Sequence, residues 1–322
     1  MDRADVYTKI RKERPDLAES SVRTYTSNVL RVGRAINGSA FNKNAAKIPE
    51  LFKNKSIAVQ KGLTVACLVW CRAAKKPHDK LEEQLKTLDA AVREQVNKQQ
   101  PSEKERKNWT SMAKLKKMLT RMKEDIKNRS LYTADPLPPR ERAMLQAYTI
   151  LAFMIKGPLR LDAADVRLIS AYKYKQLKTT EKEAHNWYIT GAGTDQRLHL
   201  YRFKTAKHFA RKDGGLPLRI ALDKQDKATF NAWIKTRARQ GFEHDWMFVN
   251  VQGGKMSRNS LSKLISATTR RRTGKVVGST LLRHVFLSNY LGNERALEQK
   301  LATARRMGQT NITQQTQYRK LL

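Results

Sequence analysis

The sequence predicts a mainly α protein with a small antiparallel β-sheet, an α+β chain of two domains. Three observations predict it. Apolar residues recur at helical spacing through almost all of residues 1–97. Strand-like runs bounded by glycine turns cluster in one region, between Trp187 and Ile220. Between these regions, Gln95 to Asn108 is polar, contains Pro101 and lacks apolar anchors, so it reads as an exposed linker. The expected domains are 1–97 and 109–322, joined by 98–108.

Taken in order, Ser20 or Ser21 is placed to cap a helix in which Val22, Tyr25, Val29, Val32 and Ile36 share one side. Arg23, Ser27, Arg31 and Arg34 fall on another side, which is either a solvated face or a phosphate-facing one. Ile57 to Arg72 reads as a buried helix, with Ala58, Leu63, Ala66, Cys67, Val69 and Trp70 covering most of its circumference. Beyond the Lys75–Lys76–Pro77 break, Leu81, Leu85, Leu88, Val92 and Val96 mark a third helix. Three or four packed helices with basic outer faces make a small DNA-clamping domain.

The second domain opens at Trp109 with a helix bearing Met112, Leu115, Met118, Leu119, Met122 and Ile126. That stripe reads as core. A proline-rich bend then leads into an apolar helix, Arg140 to Lys156, which breaks at Gly157–Pro158, with Arg160 just beyond. Trp187 to Thr190 and Leu198 to Phe203 read as strands joined by the turn Gly191 to Asp195. No helix follows that turn, so its glycines are not a nucleotide loop. Leu216 to Ile220 supplies a third strand, Phe230, Trp233 and Ile234 a helix, and Trp246 to Val249 a strand. Ser257 or Asn259 is placed to cap the next helix, which bears Leu261, Leu264 and Ile265 and ends at Arg270–Arg271–Arg272.

Charge narrows the partner. The 322 residues hold 65 Lys and Arg against 29 Asp and Glu, a formal net charge of +36 spread over the whole length. Such a balance fits a polyanion that the protein wraps. Nucleic acid is favoured over a membrane, since no apolar run approaches the roughly 18 residues of a spanning helix. Cys67 and Cys71, the two cysteines, sit at i and i+4 in an apolar helix, which reads as core thiols and not as a disulfide framework or zinc site. No apolar leader opens the chain, so an intracellular location is expected.

The most informative stretch is the last. In STLLRHVFLSNYL, Arg283 and His284 lie on an amphipathic helix with Leu281, Leu282, Val285, Phe286 and Leu287. ARRMGQTNITQQTQY follows, placing Tyr318 beyond a polar Gln- and Thr-rich run. An arginine suited to gripping phosphate and a downstream phenol make a phosphoryl-transfer pairing. The L-R-H-x-x-x-S run and the M-G-Q-T-N-I-T-Q-Q-T-x-x-Y run together resemble the C-terminal half of the tyrosine recombinase (phage-type integrase) family. The spacing of 318 − 309 = 9 from the residue after the glycine to the tyrosine fits that pattern. The likeness covers 109–322 well and 1–97 in general character, as a helical core-binding domain.

The resemblance implies a DNA breaking-rejoining enzyme of a mobile or viral genome. Tyr318 would be its nucleophile, Arg160 and Arg283 its phosphate clamps and Lys204, in the hairpin segment FKT, its general acid; Lys207 lies close by as a DNA contact. Arg23, Arg31 and Arg34 would meet DNA from the first domain. No metal or other cofactor is implied. Two positions depart from the family pattern. Thr280 and Gln309 stand where histidine, or histidine or tryptophan, is usual, and both donate hydrogen bonds yet neither serves as acid or base near neutral pH. The chain also runs only four residues past Tyr318 (322 − 318), where many relatives carry a helix that docks on a neighbouring subunit. The implied partner is double-stranded DNA, bound by a dimer on each site and a tetramer in synapsis. The implied location is wherever the target DNA lies: a prokaryotic cytoplasm, or a host nucleus or virion. Two rivals remain: a type IB topoisomerase-like enzyme, and a recombinase-derived DNA-binding protein with weak or no catalysis.

Overall fold

The first helix of the chain, α1 (Arg3–Glu13), is capped by the Asp2 carboxylate on the Asp5 amide. The computed structural model describes residues 1–36, 44, 47–191, 196–203, 205–206, 215–292, 299, 303–304 and 307. Helix α2 (Glu19–Ala35) buries Val22, Val29 and Val32 as the spacing predicts. Its start differs from the expectation at Ser20 or Ser21: Ala18 is the N-cap, and no side chain caps it. Glu19 settles the matter, because its carboxylate accepts hydrogen bonds from Tyr7 (2.6 Å), Arg11 (2.7 Å) and Arg23 (2.8 Å). These bonds, Tyr7's foremost, pull the Glu19 pKa down to about 2.

Helices α3 (Ile48–Leu51), α4 (Ile57–Ala73) and α5 (Asp79–Asn97) complete the first compact unit, Met1–Lys98. Helix α4 is its centre, buried along Leu63, Ala66, Cys67, Leu68, Val69, Trp70 and Cys71. Both cysteines are free, and burial pushes the Cys71 thiol up to about 11 and raises Cys67 well above its ordinary value, so both stay inert.

The second unit, Gln99–Leu322, begins where the sequence reads as linker. Here the structure departs from that reading: Glu103–Asn108 is a helix, α6, opened by a capping box between Ser102 and Glu105. Polar partners from far along the chain replace the missing apolar anchors. His284 Nδ1 bonds the Glu105 carboxylate, Lys275 Nζ donates to the Lys107 carbonyl (2.7 Å), and the Val276 amide donates to Asn108 Oδ1 (2.9 Å).

Helix α7 (Met112–Asn128) buries all six residues of its predicted stripe. Helix α8 (Pro139–Met154) is apolar nearly all round and runs through the core of this unit. A 3₁₀ turn, Leu161–Asp165, follows its break and leads into strand β1 (Val166–Ser170). Two short helices, α9 (Ala171–Gln176) and α10 (Thr179–Glu183), cross to β2 (Asn186–Thr190), and then come β3 (Arg197–Leu200) and β4 (Leu218–Ile220).

The sheet order is β1-β2-β3-β4. The mainly α, α+β class stands, while the expectation of an all-antiparallel sheet does not. Strand β1 pairs with β2 in parallel, and only β2–β3 and β3–β4 are antiparallel. A parallel pair needs a crossover, and α9 and α10 are too short and polar to reveal one by periodicity. The expected strand Trp246 to Val249 is reduced to bridges, Arg167 to Trp246 and Val249 to Lys255.

One face of the sheet sends Tyr188, Leu198, Leu200, Leu218 and Ile220 into the core, against Phe230 and Trp233 of helix α11 (Lys224–Arg239). Helix α12 (Arg258–Thr273) is capped by Ser257 on the Ser260 amide (3.0 Å). It stops at Gly274, whose φ of +74° suits a residue without a Cβ. Helix α13 (Ser279–Gly292) follows, with Leu282, Val285 and Leu287 buried. Among the described residues no helix is long and apolar enough to cross a membrane.

Candidate active site

Arg160, just after the break that ends α8, and Arg283, on the buried side of α13, are far apart in sequence yet both act electrostatically on one buried carboxylate. Arg160 is the N-cap residue of the 3₁₀ turn and is half-buried. Its Nη1 donates to Thr205 Oγ1 at 3.2 Å, so it reaches the segment that contains Lys204. Arg283 is 3% exposed, a burial that a guanidinium tolerates only with charge or hydrogen-bond acceptors close by. Its Nη2 donates to the Met307 carbonyl at 3.4 Å, tying α13 to the residue that precedes Gly308 and Gln309.

What the two share is Asp162. Burial raises the pKa of this carboxylate, which is 5% exposed, and the positive fields of Arg258, Arg160 and Arg283 oppose that rise. The structure gives Asp162 Oδ1 to Arg258 Nη2 at 3.2 Å, and no side chain caps the turn. Arg258 also bonds Asp165 through Nε (2.7 Å), and Lys255 reaches the same carboxylate (2.8 Å). Burial works against the charge on Asp165, yet these two bonds together overcome it and hold its pKa below the ordinary value.

Arg258, Lys255 and Asp165 escaped the sequence reading. Arg258 lies 258 − 162 = 96 residues from Asp162, and no local spacing encodes such a pair. The proline-and-glycine break that flags Arg160 has no counterpart there. Two carboxylates, Asp162 and Asp165, are held by two cations, Arg258 and Lys255, and the fields of Arg160 and Arg283 reach Asp162 as well. Guanidiniums gathered near one another are chemically suited to an anion whose charge is spread over several oxygens. Among the described residues no three His, Cys, Asp or Glu side chains group as metal ligands.

The other predicted residues fall as follows. Thr280 is exposed, one helical turn before Arg283. His284, 8% exposed, is engaged with Glu105. Arg23, Arg31 and Arg34 are all exposed on α2 of the first unit; Arg23 is bonded to Glu19, and the Arg31 guanidinium lies 5.2 Å from the centroid of the Phe52 ring. Lys204, Lys207, Gln309 and Tyr318 lie outside the described residues.

Among solved structures, the chain is similar to XerA recombinase. The match has a TM-score of 0.41 at 11% identity and covers 100% of this chain and 95% of that one. A likeness of that size carries no inference about chemistry. No protein-family model matches the chain, and no curated protein does.

Proposed function

We propose that this protein breaks and rejoins double-stranded DNA as a site-specific recombinase or integrase of a viral or mobile genome, using Tyr318 as its nucleophile. The observation that carries the reading is that Arg160 and Arg283 both act electrostatically on the buried Asp162. Those are the two arginines that the tyrosine-recombinase resemblance assigns to the scissile phosphate. The net charge of +36 supports a polyanionic substrate.

In this reading the Tyr318 oxygen attacks phosphorus, the phosphorus–O5′ bond breaks, and a 3′-phosphotyrosine forms. The phenol passes its proton to solvent, and the leaving 5′-oxygen takes one from Lys204. Arg160 and Arg283 balance the charge that builds on the non-bridging oxygens, where positioned cations contribute most of the acceleration. Thr280 and Gln309 donate hydrogen bonds to the same oxygens. A 5′-hydroxyl then attacks the phosphotyrosine and reverses the chemistry, so the energy of the phosphodiester is kept. Protomers act as dimers on a site and as tetramers across two.

The test is a nicked suicide substrate made from the element's own termini, run with wild type and Tyr318→Phe on a denaturing gel. A covalent protein–DNA band that the variant lacks is expected. Tight binding of cognate DNA with no band from wild type would overturn the enzyme reading in favour of a catalytically silent DNA-binding protein. Relaxation of supercoiled plasmid without exchange between duplexes would instead favour a type IB topoisomerase-like activity.

A further inference from the structure

Away from the candidate active site, helices α7, α8 and α12 of the second unit enclose a cavity of about 280 Å³. Its floor is apolar, built from Met122, Met144, Ala143 and Leu264. Its rim is cationic, with four arginines against a single carboxylate, Glu141. The Arg258 end of α12 meets Asp162, whereas the cavity is lined by Arg271, 13 residues on, about 20 Å along the helix axis.

The rim arginines divide into two kinds. Arg129 is paired with Glu141 and Arg272 with Asp125, and both guanidiniums also rest on the Met144 sulfur, at 3.9 and 3.6 Å. These two are committed to building the walls. Arg140 and Arg271 are exposed, and among the described residues neither enters an ion pair. Two uncompensated guanidiniums therefore flank an apolar hollow floored by methionines, whose unbranched, polarisable side chains adapt to differently shaped guests.

We propose that this groove is a docking site for an acidic peptide segment of a partner protein, one that seats an apolar side chain between carboxylates. Charge complementarity selects the sign: among the described residues Arg140 and Arg271 have no carboxylate of their own, and arginine grips carboxylate bidentately. The floor selects peptide over nucleic acid, because a phosphate backbone has no apolar group to place on methionine and leucine. The site would give a DNA-bound protein a handle for a partner that is not DNA.

The experiment uses the full chain and a fluorescein-labelled synthetic peptide with a leucine pair flanked on both sides by aspartates and glutamates. A second peptide carries serines in place of the leucines. Anisotropy is expected to show binding of the leucine peptide, weakened about tenfold or more in the Arg140→Glu/Arg271→Glu double variant and to a similar degree with the serine peptide. Affinity of the double variant for duplex DNA, and its dependence on salt, should match wild type. Circular dichroism confirms that this surface variant folds. Equal binding of both peptides would mean mere attraction to a basic chain and would overturn the proposal. So would wild-type peptide affinity in the variant, or a loss of DNA affinity with a shallower salt slope, which would make the groove a phosphate surface.

Discussion

Neutralising Asp162 should separate stability from chemistry. At 3.2 Å, Asp162 and Arg258 attract by 332/(20 × 3.2), about 5 kcal/mol at an effective dielectric of about 20. Half of the Arg258 side chain is exposed, so water screens the pair and the true attraction is smaller. Against it stands the removal of a carboxylate from water, which costs several kcal/mol. The direction of the Asp162 shift decides between them: its pKa is raised, burial being the largest cause, in spite of three arginines. An acid whose folded pKa lies above its unfolded value is stabilising when protonated, and that contribution is lost as pH rises through the folded pKa. At pH 7 the ionised Asp162 is therefore a net cost to folding.

Asp162→Asn, which keeps the shape and removes the charge, is accordingly expected to leave stability unchanged or raise it by about 1 kcal/mol. Urea denaturation at pH 7 measures this, and the difference from wild type should shrink as the pH falls through the raised native pKa and be gone below about 4, where the unfolded carboxyl is protonated as well. Covalent-adduct formation should fall by about ten- to a hundredfold, because Arg160 and Arg283 lose an anion whose field they share, a barrier change of about 1.4–2.8 kcal/mol. A clear drop in the urea midpoint at pH 7 would refute the reasoning, since it would mean that the three arginines outweigh burial.

Two further outcomes follow from shifted groups. Burial, aided by Arg219 and Arg197, lowers the His199 pKa to about 4, so the native state holds this ring neutral while the unfolded chain protonates it. Stability should fall by on the order of 1–3 kcal/mol as pH drops from about 6.5 to 4, and His199→Gln should flatten that limb; an unchanged slope would sink the assignment. The bond from His284, with help from Ser102, holds Glu105 at about 2, a contribution present above about 4.5 and lost as pH falls toward 2. Glu105→Gln should therefore loosen α6 by about 1–3 kcal/mol at pH 7, read as faster amide exchange over residues 103–108, and unaltered protection would count against the role given to this pair.

Local pattern carried a large part of the fold. The stripe Met112, Leu115, Met118, Leu119, Met122 and Ile126 is buried residue for residue, because a helix places i, i+3, i+4 and i+7 on one side whatever surrounds it. The cap at Ser257 and the stop at Gly274 are likewise local, each satisfied within one turn. Arg283 and Arg160 were singled out for a different reason, a resemblance in their flanking motifs together with a helix break.

Tertiary structure decided what depends on partners distant in sequence. Parallel pairing of β1 with β2 rests on a crossover that no strand periodicity announces. Helix α6 lacks an apolar face and exists through polar contacts from His284, Lys275 and Val276, so the same residues read as linker until the rest of the unit folds around them. Asp162 found its ion-pair partner in Arg258, across the whole sheet segment of the sequence. Periodicity reports which side of an element is buried. Which charges meet there is set by the packing of elements whose separation along the chain the sequence does not encode.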